Sequence, residues 1–149
     1  MMNKICCFAG HRDIINTEKV YKELINLIEE MITTKNVLEF WVGNYGTFDL
    51  LSARVVRELK IKYPFIKLNL VIPYITNSVN LKKDEFDNII MADIKEKTPD
   101  NLKILKCNEY MINNSKYLIC YVEHTWGGAY KTLSYAKKKN KNIFNIFKN

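Results

Sequence analysis

The strongest constraint on how this chain folds is the alternation of short apolar runs with helical periods, most of the runs closed by a chain breaker. The run from Asn3 to Ala9 stops at Gly10, Val37 to Val42 at Gly43, and Ile66 to Ile72 at Pro73. Tyr117 to Val122 leads into Trp126-Gly127-Gly128. Strands that are continuously apolar, not alternating, are buried on both faces of a sheet. Between them lie amphipathic periods. Over 17–34, Val20, Leu24, Leu27, Ile28 and Met31 share one helix face, with Asn16 or Thr17 as cap and Glu18 in the first turn. Over 47–62, Leu51, Val55 and Leu59 do the same, and the helix stops before Pro64. The middle of the chain is read as a short helix over 77–85, a short strand over 87–91, a loop over 95–101 and a helix over 101–114. A helix over 128–139 and a strand over 142–147 close the pattern. Buried strands joined by helical crossovers describe a doubly wound, mainly parallel α/β sheet flanked by helices, as one domain over 1–149.

Composition narrows the class. The 149 residues are 48% hydrophobic, enough to bury a core. No apolar run reaches the roughly 18 residues of a membrane span, and the apolar stretch before Gly10 is too short for a secretory signal. A cytoplasmic protein with no membrane partner is expected. Cys6, Cys7, Cys107 and Cys120 form no C-x-x-C pair, and there are two histidines, so the spacing points to buried thiols, with no metal site and no cofactor. The net charge of +7 owes much to Lys137, Lys138, Lys139 and Lys141, with Lys60 and Lys62. Such lysines suit anionic partners; they also complement the dipole at a helix end.

In a doubly wound sheet, ligands sit outside the carboxyl ends of the strands. The first strand delivers Gly10, His11 and Arg12 there, the second Gly43, Tyr45, Gly46 and Asp49, and the third Pro73 and Tyr74. The strand ending at Val122 delivers Glu123, His124, Thr125, Trp126, Gly127, Gly128, Ala129 and Thr132. A glycine pair opening a helix offers free N–H groups and a positive dipole end to a phosphate. Thr132 can add a hydroxyl, Arg12 a planar fork for phosphate or carboxylate, and Asp49 an acceptor for a ribose hydroxyl. His11 is either a ligand contact or a loop tie. Tyr45, Tyr74, Trp126 and Tyr130 are candidate stacking surfaces. No Walker or G-x-G-x-x-G spacing is present, and no catalytic residues are assigned.

These segments, in this order, resemble the SLOG superfamily, nearest to the small YpsA-like proteins of bacteria and their phages. The matching blocks are Cys6-Cys7-Phe8-Ala9-Gly10-His11-Arg12, Gly46-Thr47-Phe48-Asp49-Leu50-Leu51-Ser52-Ala53, Val71-Ile72-Pro73-Tyr74, Asn108 to Ser115 leading into Tyr117 to Val122, and His124 to Thr132. The resemblance implies a Rossmann-like fold, a nucleotide-related ligand at the rim and, by analogy, a homo-oligomer such as a dimer. The superfamily includes the Lonely Guy phosphoribohydrolases, the DprA proteins that bind single-stranded DNA, and sensors of NAD-derived or cyclic signals in antiviral defence. The Lonely Guy pattern puts an arginine four residues before a methionine, where this chain has Cys107 before Met111. It also puts glycine where Tyr130 stands, and its following glutamate is absent. Three functions are therefore expected in descending order. The first is a protein that senses or sequesters an ADP-ribose-like or cyclic nucleotide. The second is a nucleotide N-glycosidase using Glu123, His11 or Asp49. The third is single-stranded nucleic-acid binding.

Overall fold

The computed structural model describes residues 4–75 and 83–147. Six strands form one sheet among these residues: β1 (Ile5–Gly10), β2 (Glu39–Val42), β3 (Lys67–Ile72), β4 (Asn88–Met91), β5 (Tyr117–Tyr121) and β6 (Asn142–Asn145). Every pairing is parallel, in the order β4-β3-β2-β1-β5-β6. Among the described residues, four α-helices flank it: α1 (Thr17–Thr33), α2 (Thr47–Lys62), α3 (Asp100–Asn114) and α4 (Gly128–Lys138). This is a Rossmann-like α/β fold. The segment expected to be helical over 77–85 falls mainly outside the described residues; Lys83–Glu85 is a single 3-10 turn.

The central strands follow from their sequence. Cys6, Cys7 and Phe8 are buried, and odd and even positions face different cores. Cys6 and Phe8 pack with Leu24, Ile28, Phe40 and Val56 under α1 and α2. Cys7 and Ala9 pack with Trp41, Met111, Leu118 and Leu133 under α3 and α4. All four cysteines are buried and free. Burial pushes the Cys7, Cys107 and Cys120 thiols up to about 12, so they sit in the core as neutral hydrophobes. Asn16 caps α1, its side chain accepting the Lys19 N–H at 3.3 Å. No helix among the described residues is long and apolar enough to cross a membrane.

The strand order turns between β1 and β5. From β1 the chain winds through β2 and β3 to β4, then returns to β5 on the other side of β1. The loops after β1 and β5 therefore diverge and leave a crevice at the carboxyl edge, where open α/β sheets receive their ligands.

Candidate ligand cleft at the strand-order switch

A cleft of about 320 Å³ opens at this switch. The ends of β1 (Phe8 to Gly10) form its floor, His11 and Arg12 one bank, and the first turn of α4 (Gly128, Ala129) with His124 and Trp126 the other. Tyr45 and Asp49 close it from the β2–α2 side, and Ile104 and Asn108 from α3.

The start of α4 is bare. Gly127 takes the N-cap position at φ 91° and supplies no capping side chain. A Cβ added at Gly127 or Gly128 would meet nothing within 4 Å. The first-turn N–H groups of a helix have no intrahelical partner, so this turn presents donors and the positive dipole end to open space.

The other rim glycines have a different cause. A Cβ on Gly10 would lie 2.4 Å from the Phe48 ring, and one on Gly46 2.5 Å from the Arg12 Cα. Both glycines let α2 press against the end of β1, and the Thr47 N–H donates to the Arg12 carbonyl at 2.8 Å. Gly43 is buried beside Asp49, where a Cβ would lie 3.2 Å from Oδ2.

Asp49 sits in the first turn of α2, and its Oδ2 accepts the Tyr45 N–H at 2.9 Å. Burial pushes its carboxyl up to about 6, against the opposing pull of that bond. Tyr45 is half-buried; burial, with Cys107, Tyr74 and Asp49 nearby, pushes its phenol well up. Cys107 itself lies in the core behind the cleft, its Sγ directed to the Val71 carbonyl at 3.7 Å.

His11 serves as a tie. The Glu123 N–H donates to its Nε2 at 2.9 Å, joining the loops after β1 and β5. Burial lowers the His11 pKa, His124 adds to this and Glu123 opposes it. The aromatic rings continue outward: His11 and His124 lie 4.7 Å apart, and His124 stacks on Trp126 at 4.4 Å and 11°. Trp126 is 67% exposed. Sequence spacing gave no sign of a metal site, yet the fold brings ligand atoms of His11, Glu123 and His124 within 4.8 Å of one another. A neutral imidazole has one acceptor nitrogen, and that of His11 is taken by the Glu123 N–H. An ion here would have to break the loop tie.

Of the residues expected at the rim, Gly10, His11, Arg12, Tyr45, Asp49, His124, Trp126, Gly127, Gly128 and Ala129 meet at the cleft. Gly43, Gly46, Pro73, Tyr74, Thr125 and Thr132 do not line it. Tyr74 lies under the Lys103 ammonium, 5.2 Å from its ring centre. Thr132 is buried; its hydroxyl donates to the Gly128 carbonyl at 3.0 Å and accepts from Asn108 at 3.2 Å. It braces the glycine turn and does not face the cleft. Asn108 and Ile104 were not anticipated, because their inclusion depends on how α3 packs against α4. No local motif signals that.

The architecture has solved counterparts. The chain shares its fold with DNA processing protein A. The Streptococcus pneumoniae structure matches 99% of this chain with a TM-score of 0.70 at 14% sequence identity. The Helicobacter pylori protein, which binds single-stranded DNA, matches 99% with a TM-score of 0.69 at 17% identity. This chain spans about half of the Streptococcus protein, 51%, and 67% of the Helicobacter one. By sequence it is similar to YoqJ, an uncharacterized protein derived from the SPbeta prophage of Bacillus subtilis, with 26% identity over 140 residues covering 80% of this chain and 81% of that one. No family model matches the sequence.

Proposed function

We propose that the cleft binds a nucleotide-derived small molecule, with a phosphate on the first turn of α4, and that the protein senses or sequesters it. The observation that carries this reading is the uncapped Gly127-Gly128 turn, facing a cleft with nothing in front of it. The residues around it complement the other parts of a nucleotide. Arg12 supplies a guanidinium on the bank across from the phosphate position, Trp126 and Tyr45 supply faces for a base, and Asp49 supplies an acceptor for a ribose hydroxyl. A cleft of about 320 Å³ is at the small end of ligand sites. It suits one nucleotidyl unit, so an ADP-ribose-like or cyclic ligand would extend out past Trp126.

The test is a thermal-shift panel at fixed salt with AMP, ADP, ADP-ribose, NAD, cyclic dinucleotides and oligo-dT. A ligand that binds only the folded state raises its apparent stability by mass action. The expected result is a shift with one small nucleotide, lost in Arg12→Ala, with that nucleotide recovered intact. Recovery of free base would instead assign an N-glycosidase. No shift with any small nucleotide would overturn the reading. A second reading, single-stranded DNA across the same cleft, is favoured by the exposed Trp126 and by the likeness to the Helicobacter protein. It predicts a shift with oligo-dT alone.

A further inference from the structure

The net charge of the chain lies largely away from the cleft. In a parallel sheet every strand starts at the same end, and β1, β5 and β6 start side by side. A lysine stands immediately before each of them: Lys4 before Ile5, Lys116 before Tyr117 and Lys141 before Asn142. The register holds them together. The Lys116 N–H donates to the Ile5 carbonyl and the Asn142 N–H to the Lys116 carbonyl, and Tyr117 pairs with Asn142. Neighbouring strands lie about 4.8 Å apart, so the three lysines start one edge of the sheet; Lys116 and Lys141, level with each other, project to one face, and Lys4, one residue out of step, to the other. The last turn of α4 ends at the same pole and adds Lys137 and Lys138, followed by Lys139, all exposed.

Acidic side chains are sparse at this corner, the nearest being Glu30, in the last turns of α1, which shares a groove with Phe144 of β6, and Glu39, level with Ile5 on β2. The sequence has no Asp or Glu between Glu109 and Glu123, and none after Glu123. Among the described residues, none of the six lysines is in an ion pair. Glu39, which opens the neighbouring strand β2, accepts from the neutral Asn69 amide at 2.9 Å and keeps its charge on the β1 side of the corner, so the excess of positive charge is concentrated on β5, β6 and the end of α4. Six like charges held on one rigid edge repel one another, and a polyanion relieves that repulsion by releasing its own counterions.

We infer that this corner, at the pole opposite the cleft, is a second binding site that takes the phosphate backbone of a nucleic-acid strand. The chemistry favours nucleic acid over a lipid surface. The corner offers amines, the amides of Asn113, Asn114, Asn140 and Asn142, and the partly buried Tyr135 under the Lys139 ammonium. The exposed apolar side chains of this pole, Leu38, Ile61 and Phe65, belong instead to the β2 and β3 side. There Glu29 and Asp87 already pair with Lys62 and Lys60. The corner and the cleft are a strand length apart, five residues in β5 or roughly 17 Å at about 3.3 Å per residue. Loss of one site therefore does not remove the other.

The test is fluorescence anisotropy with a labelled 20-nucleotide dT strand, titrated at several salt concentrations. Replacing Lys137, Lys138, Lys139 and Lys141 with Gln should weaken binding at least tenfold. It should also make the slope of log affinity against log salt shallower by about 3, at about 0.7 per lost phosphate contact for single strands. Replacing Lys19, Lys22, Lys95 and Lys97 with Gln removes the same charge elsewhere and should leave the strand bound. All eight are surface lysines, and circular dichroism checks that both variants fold. Equal loss in the two variants would show that net charge alone attracts the strand, and the proposal would fall. Loss in Trp126→Ala with the corner variant unaffected would place the strand in the cleft and overturn it. Binding to phosphatidylserine vesicles without binding to dT would reassign the corner to a membrane.

Discussion

The Glu123 N–H donates to His11 Nε2 at 2.9 Å across 112 residues of sequence, and this single bond ties together the two loops that open the cleft. It requires an unprotonated Nε2. Histidine in the unfolded chain titrates near 6.5, and burial holds the folded His11 below that. Above pH 6.5 the contribution of His11 to stability is fully present. As pH falls the unfolded chain takes the proton first, so stability is lost until the folded imidazole is protonated too. Thermal unfolding of the wild type should therefore lose more between pH 7 and 5 than that of His11→Gln, whose amide oxygen can still accept the Glu123 N–H. An equal or steeper loss in the variant would refute the role assigned to His11. At pH 7.5, His11→Ala should cost about 1 kcal/mol, about 2–4 °C in Tm.

Asp49 acts in the opposite sense. Its carboxyl titrates at about 6 in the fold against 3.8 ordinarily, so the folded state holds a proton that the unfolded chain has released. Its penalty is absent below 3.8, grows as pH rises and is complete above about 6. Asp49→Asn removes the charge and keeps an oxygen to accept the Tyr45 N–H. A rise from 3.8 to about 6 corresponds to about 3 kcal/mol; next to an open cleft we expect about 1–2 kcal/mol, seen as a higher Tm at pH 7.5 and no difference at pH 3.5. The same variant should weaken a ribonucleotide more than its 2′-deoxy counterpart. A Tm at pH 7.5 equal to or below that of the wild type would count against a buried, charged Asp49.

The two kinds of rim glycine should separate in one experiment. Gly128→Val adds its side chain to empty space at the first position of α4. It should leave Tm within about 2 °C and cut nucleotide affinity at least tenfold, because its methyl groups take the place of the phosphate. Gly10→Ala drives a methyl group into the Phe48 ring. It should cost about 1–3 kcal/mol, read as a Tm lower by several degrees, whether or not nucleotide is present. Equal affinities for wild type and Gly128→Val would remove the phosphate from this turn.

These glycines also mark how far the sequence could be read. The parallel sheet was legible because its central strands are apolar on both faces, and the rim was legible because chain breakers fall where those strands end. A glycine at a strand end does not reveal whether it makes room for a ligand or for the next helix. Gly10 and Gly46 are explained by α2 packing on β1, whereas Gly127 and Gly128 face solvent. Thr132 carried the same ambiguity: a hydroxyl in the first turns of α4 can point outward to a phosphate or inward to Asn108, and the packing of α3 against α4 turns it inward. The loop tie at His11 was one of two readings of that residue, and its partner, a backbone N–H far along the chain, leaves no mark in a local pattern. His11, Glu123 and His124 were legible as residues of one rim, but the approach of their ligand atoms to within 4.8 Å was not, for the same reason.

Trp126 offers a direct optical readout of the cleft. It is 67% exposed, whereas the other tryptophan, Trp41, is buried at 7% and stacks on Tyr110 at 6.0 Å. Red-shifted emission should therefore come from Trp126 and blue-shifted emission from Trp41. A base placed on the outer face of Trp126 extends the stack that Trp126 already forms with His124, and should quench the red component alone. Trp126→Ala removes only the exposed stack on His124, so stability should fall by no more than about 1 kcal/mol. Affinity for a nucleotide should fall by about 1–3 kcal/mol, the usual worth of one base–aromatic stack. Quenching of the blue component instead would mean that the ligand acts through Tyr110 and the α3 face, and that the outer wall of the cleft is not where the base lies.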